Sequence, residues 1–191
     1  MPLRPTEIET LVGHASQALQ ALQDDLGSQN VPAARVRFPR GFISTAGSHR
    51  ATLPDIGQEV QRRNASYALM TLDIFRWLVI RTDLSGPALS MIAKEGICVL
   101  GALCEWLTKE ATRGQASGRP YTQRTAKLVE LGHIDHNLKT ELDWIWDIRC
   151  NEHLHEVDTL EHEMYSRNDM NRAFSAYALL RDKLVTIHGE A

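Results

Sequence analysis

The chain has 191 residues, 43% of them hydrophobic and 24% charged, which is enough for one domain with a buried core and ordinary for a globular protein. A formal net charge of -3 argues against a protein that coats nucleic acid with its whole surface, although the distribution of charge matters more than its sum. Three cysteines, Cys98, Cys104 and Cys150, form no CxxC pair, which excludes a disulfide framework and a zinc knuckle and points to a reducing cytoplasm. The N-terminal residues carry no apolar run of signal-peptide type, and charge interrupts the longest apolar stretches, so a cytoplasmic chain without a membrane span is expected.

Thr6 and Glu9 have the spacing of a capping box, and Ile8, Leu11, Val12, Ala15, Leu19, Leu22 and Leu26 then mark one helical face up to Gly27. From Ser28 to Pro54 the chain is rich in Gly, Pro, Ser and Thr; a connection of that length is usually functional or disordered. It carries Arg35, Arg37, Arg40 and Arg50 and no acidic residue, and the run from Val36 to Ile43 suits a short extended arm. Cations so placed are candidates to meet a nucleic-acid backbone, although arginines on long loops are more often simply soluble.

A second helix is expected over about residues 55–82, with Ile56, Val60, Tyr67, Met70, Ile74, Trp77 and Leu78 as its apolar positions. Gly86–Pro87 opens a third, whose inner stripe is Leu89, Ile92, Ala93, Gly96, Val99, Leu100, Leu103 and Leu107. The small residues Ala93, Gly96, Gly101 and Ala102 let another helix come close. After a polar turn at 113–120, Thr122 to Leu131 reads as a short helix closed by Gly132. Asp135 then caps a helix that carries Leu138, Leu142, Ile145 and Ile148 into Arg149, and a last helix spans about residues 168–187. No run alternates at period two for long enough to build a sheet. The expected fold is all-α, an up-down bundle of five to six helices with a long N-terminal arm: residues 1–54 hold the first helix and the arginine-rich arm, and 55–191 the bundle.

The chemistry concentrates between Trp144 and His155, in the run Trp–Ile–Trp–Asp–Ile–Arg–Cys–Asn–Glu–His–Leu–His. Arg149 is a permanent cation, and His153 and His155 titrate near neutral pH. Cleaving a phosphodiester needs both, one group to neutralise the phosphate and another to move protons. An ordinary polar helix face is the plainer account of the same residues.

An all-α bundle with Arg, four to six intervening residues and His near the start of its last third resembles the HEPN (higher eukaryotes and prokaryotes nucleotide-binding) domain family. Arg149 and His155 have that spacing, and the likeness covers about residues 55–187. The resemblance implies a homodimer whose two motifs face each other, acting as a metal-independent endoribonuclease without a cofactor. His155 would promote attack of a ribose 2′-hydroxyl on the adjacent phosphate, and Arg149 would stabilise the pentacoordinate transition state. Asn151 would hold the phosphate or orient the site, and Glu152 would orient a histidine or equally form a surface ion pair. On a continuous helix His153, four residues on, shares a face with Arg149, whereas His155 is rotated by roughly 120°, so His153 is the rival for the proton-transfer role. Cys150 stands where many members carry Asn or another polar residue, with Asn151 next, and Val157 where a nucleotidylated toxin subfamily carries tyrosine. A toxin or stress-defence ribonuclease, with RNA as substrate and an antitoxin as possible partner, is one expectation; a catalytically silent dimeric interaction module is the other.

Two features complicate the ribonuclease reading. Asp135, Glu141, Asp143, Asp147, Glu152, Glu156, Asp158, Glu161 and Glu163 make the motif region acidic, which repels RNA unless those acids pair within the bundle or the arginine arm, with Arg62 and Arg63, supplies a basic rim. Glu152 and His155 also form an ExxH pair, but a di-iron bundle needs a second one on a continuous helix, and Gly132 interrupts Glu130–His133; no metal is assigned. Cys98 and Cys104 read as small core residues, and His14, His49 and His188 as surface residues.

Overall fold

The computed structural model describes residues 2–151 and 164–189, which form seven α-helices and no strand. The chain divides into two compact units, Met1–Arg40 and Gly41–Ala191.

In the first unit, α1 (Pro5–Leu26) is capped by Arg4, two residues before the expected cap at Thr6. Pro5 occupies the first helical turn, where its missing N–H is no loss. Arg4 and Glu7, rather than Thr6 and Glu9, close the capping box, the Arg4 N–H donating to Glu7 Oε2 at 2.8 Å. No residue of α1 is buried, and Ile8, Leu11, Val12 and Leu19 stand exposed along the stripe. A short 3-10 turn, Pro32–Ala34, follows.

The second unit holds the core. Its first helix, α2 (Ala46–Ala51), lies in the segment that the sequence marks as irregular and raises the helix count to seven. No apolar period announces it. Thr45 makes it by capping, its hydroxyl accepting the Ser48 N–H at 3.0 Å. Next, α3 (Glu59–Arg81) starts later than expected because Gly57 turns the chain at φ 77°, where a side chain would be strained and a Cβ would meet Gln61 Oε1 at 2.8 Å.

At the centre is α4 (Gly86–Ala111), which packs against α3, α5 (Tyr121–Glu130), α6 (His136–Cys150) and α7 (Arg167–Gly189). Ile97, Leu100 and Leu107 are fully buried there, together with Leu128, Leu142, Ile145, Leu180 and Leu184 from its neighbours. Two of the four small residues act as the sequence suggests. A Cβ on Gly96 would fall 2.7 Å from Met170 Cε, and one on Gly101 would fall 3.2 Å from Arg149 Cβ. Ala93 is also buried, whereas Ala102 faces out. Among the described helices α4 alone is long and apolar enough to cross a membrane, and 56% of its most apolar window is buried inside the bundle.

The corners follow local chemistry. Gly132 at φ 72° ends α5, with the His133 N–H on Leu128 O and the Gly132 N–H on Val129 O, both at 2.9 Å. Asp135 caps α6 by accepting the Leu138 N–H at 2.8 Å, as expected. Arg167 ties the start of α7 to the α3–α4 corner through the carbonyls of Val79 (2.9 Å) and Leu84 (3.0 Å).

Candidate functional site

Leu138, Leu142, Ile145 and Ile148 bury one face of α6, and this fixes where the residues between them point. Arg149 lies one position beyond Ile148, in the last turn, beside the helix α4. Its aliphatic stem passes over Gly101, and only a residue without Cβ lets α4 approach so near. Its guanidinium then meets two groups. Glu105 of α4 forms an ion pair with it, Oε2 lying 3.0 Å from Nη2, and the Trp146 ring lies beneath with its centroid 4.9 Å from Cζ. Both Arg149 and Glu105 keep about a third of their side chains exposed (30% and 33%).

The same carboxylate has a second cation. Its Oε1 is 3.8 Å from Nη2 of Arg124, which is 6% exposed and donates through Nη1 to the Arg119 carbonyl at 2.8 Å. Arg124 lies over the Tyr121 ring, and Tyr121 stacks on Trp146 with centroids 4.5 Å apart and planes 6° from parallel. Two arginines, one carboxylate and two stacked rings therefore form one continuous cluster. Among the described residues a single carboxylate, Glu105, faces both guanidinium groups. Burial pushes the Tyr121 phenol well above its ordinary pKa, so it remains neutral here.

Asn151 caps the C-terminus of α6, and its carbonyl accepts from Lys94 Nζ at 2.9 Å. Lys94 is 3% exposed, and its ammonium lies where the helix dipole favours a cation. Reading α4 as an apolar stripe passes over both Lys94 and Glu105. Each is a charged residue on a mostly buried helix, and that conflict is the signal that would have found them. Cys150 is exposed and not disulfide-bonded, whereas Cys98 and Cys104 are core residues, the Cys104 thiol pushed up to about 12 by burial. The candidate residues Glu152, His153 and His155 lie outside the described residues.

The acidic residues that fall within the described residues are largely engaged inside the bundle. Asp135 is a helix cap, Glu141 pairs with Arg172, and Asp143 accepts from Thr125 (2.8 Å) and Lys139 (2.5 Å). The arginines proposed for a basic rim are divided between the two units. Arg35, Arg37 and Arg40 are exposed in the first unit, Arg35 donating to Asn30 Oδ1 at 3.2 Å. Arg50 belongs to the second unit and lies 3.8 Å from Glu59, which also pairs with Arg63, while Arg62 pairs with Asp55. Among the described residues no cluster of three His, Cys, Asp or Glu is arranged to hold a metal ion. In comparisons with protein-family models, curated proteins and solved structures, none matches this chain.

Proposed function

We propose that the chain is a HEPN-like endoribonuclease that acts as a homodimer and cleaves RNA without a metal ion. The observation that supports this reading most is the setting of Arg149. Glu105 engages only Nη2, and among the described residues the other nitrogens of the guanidinium make no hydrogen bond. Trp146 and Glu105 hold the fork in one orientation at a partly exposed helix end, so the remaining N–H groups are available to a phosphate oxygen. A preorganised donor of this kind is worth about 100- to 1000-fold in rate when charge develops opposite it.

In the proposed reaction His155, or His153 in its place, removes the proton of a ribose 2′-hydroxyl as that oxygen bonds to the adjacent phosphorus. The bond to the 5′-oxygen breaks, and that oxygen leaves as a hydroxyl after taking up a proton. The products are a 2′,3′-cyclic phosphate and a 5′-hydroxyl end. Arg149 stabilises the phosphorane oxygens, Asn151 holds the phosphate, and Glu152 orients a histidine. A toxin or defence role, with an antitoxin as regulator, belongs to the same proposal.

A second reading has its own observation in favour. Glu105 already neutralises part of the Arg149 charge, as it would in a catalytically silent dimeric interaction module. Purified protein incubated with labelled RNA in EDTA distinguishes the two. Cleavage to cyclic-phosphate ends, lost in Arg149→Ala and in His155→Ala of unchanged fold, is the expected result. Loss in His153→Ala instead transfers the proton-moving role to His153. Absence of cleavage by the wild-type chain across diverse RNAs favours the interaction module.

A further inference from the structure

Helices α3 and α7 both pack on α4, with little direct packing on each other, and the space between them is a cleft of about 460 Å³. Leu69, Leu72, Asp73 and Arg76 face it from α3 at helical spacing, and Asn171, Phe174, Tyr177, Ala178 and Arg181 face it from α7. His49 and Thr52, from α2 and its C-terminal cap, border the same space. None of the groups that touch Arg149 lines it, so the cleft is separate from the cluster at the end of α6.

Its chemistry is built around charge. Asp73 accepts from the Ser44 N–H at 2.8 Å and lies 2.9 Å from His49 Nε2, with both side chains largely buried. His49 is therefore no ordinary surface residue. Its other ring nitrogen makes no hydrogen bond among the described residues. Arg76 lies 5.7 Å from the centroid of the Phe174 ring and makes no ion pair among the described residues. Arg181 lies over Tyr177 and pairs with Asp182, which does not line the cleft. Tyr177 is 3% exposed, and its hydroxyl is buried with no hydrogen-bond partner.

Two guanidinium groups therefore line the cleft: Arg181 is already paired with Asp182, whereas Arg76 has no carboxylate partner among the described residues. The unpaired Arg76 guanidinium, with Arg181 and the amide of Asn171 across the cleft and an apolar floor of Leu69 and Leu72, suits a compact anion with several acceptor oxygens and a small apolar body. We propose that this cleft binds a small organic phosphate monoester, Arg76 and Arg181 gripping the phosphate and the organic group resting on Leu69, Leu72 and Phe174.

Isothermal titration of the full chain at low salt, with phenyl phosphate and with inorganic phosphate as probes, tests the proposal. Saturable one-to-one binding of phenyl phosphate, tighter than that of inorganic phosphate, is expected. Arg76→Ala should weaken it by about tenfold or more, as for a lost hydrogen bond to a charged group. Arg76→Lys should fall between, because it keeps the charge and loses the fork. Arg76 is exposed, and an unchanged thermal melt of each variant separates loss of binding from loss of fold. No saturable binding up to millimolar probe, or binding indifferent to Arg76→Ala, overturns the site; equal affinity for inorganic phosphate overturns the part assigned to the organic group. Because the readout is binding and no RNA is present, the result is independent of whether the chain cleaves RNA.

Discussion

Arg149 and Arg76 occupy opposite situations in the same bundle. Arg149 runs its stem over Gly101, rests on Trp146 and gives Nη2 to Glu105, which also faces the buried Arg124. Arg76 lies near Phe174 at the edge of a cleft and has no carboxylate partner among the described residues. The first is part of how α4, α5 and α6 fit together, and the second contributes little to the fold. A cation tied into packing is held in orientation but partly neutralised. A cation left unpaired keeps its full charge for a ligand. Orientation without neutralisation would require a third arrangement, and neither region has it.

Changes to the two regions should therefore separate stability from binding. The largest effect is expected from Trp146→Ala, which removes the ring stacked on Tyr121 and beneath Arg149; a loss of about 3 kcal/mol in urea unfolding is typical of a large aromatic taken from a core. If this variant unfolds like the wild type, the cluster is surface decoration and the contrast fails. Glu105→Ala comes next. It leaves the buried Arg124 facing Arg149 without the carboxylate between them, and about 1–2 kcal/mol should be lost in the same measurement, water at the partly exposed pair screening part of the effect. A loss that shrinks in high salt would confirm that charge rather than packing is responsible. Arg76→Ala should change stability least, by within about 0.5 kcal/mol, as exposed substitutions generally do. A large loss there would make Arg76 a structural residue like Arg149 and remove the distinction.

Most of the fold could be read in the chain order of apolar residues. The stripe of α4, the Asp135 cap and the Gly132 terminator all act where spacing and local chemistry put them, because each depends on neighbours within a few residues. The misses have the same origin in reverse. The helix α2 has no apolar period and depends on the Thr45 hydroxyl. The α1 stripe has a strong period and yet buries nothing, since periodicity reports which face is apolar and not whether anything covers it. The site divides likewise. Arg149 stood out by its neighbours in sequence, but Glu105, Arg124 and Tyr121 lie 25 to 44 positions away, and only the packing of α4 and α5 on α6 brings them to it.

By itself the sequence determined that the described chain would be helical and that α4 would bury an apolar stripe, together with several of the points where helices begin and end. These follow from hydrogen bonding and hydrophobic spacing over one or two turns. The tertiary structure decided which charges meet. It set Glu105 between two arginines, paired His49 with Asp73 and left Arg76 without an ion-pair partner among the described residues. Electrostatic partnership depends on distance in space, and residues far apart in the chain acquire that distance only when the helices pack.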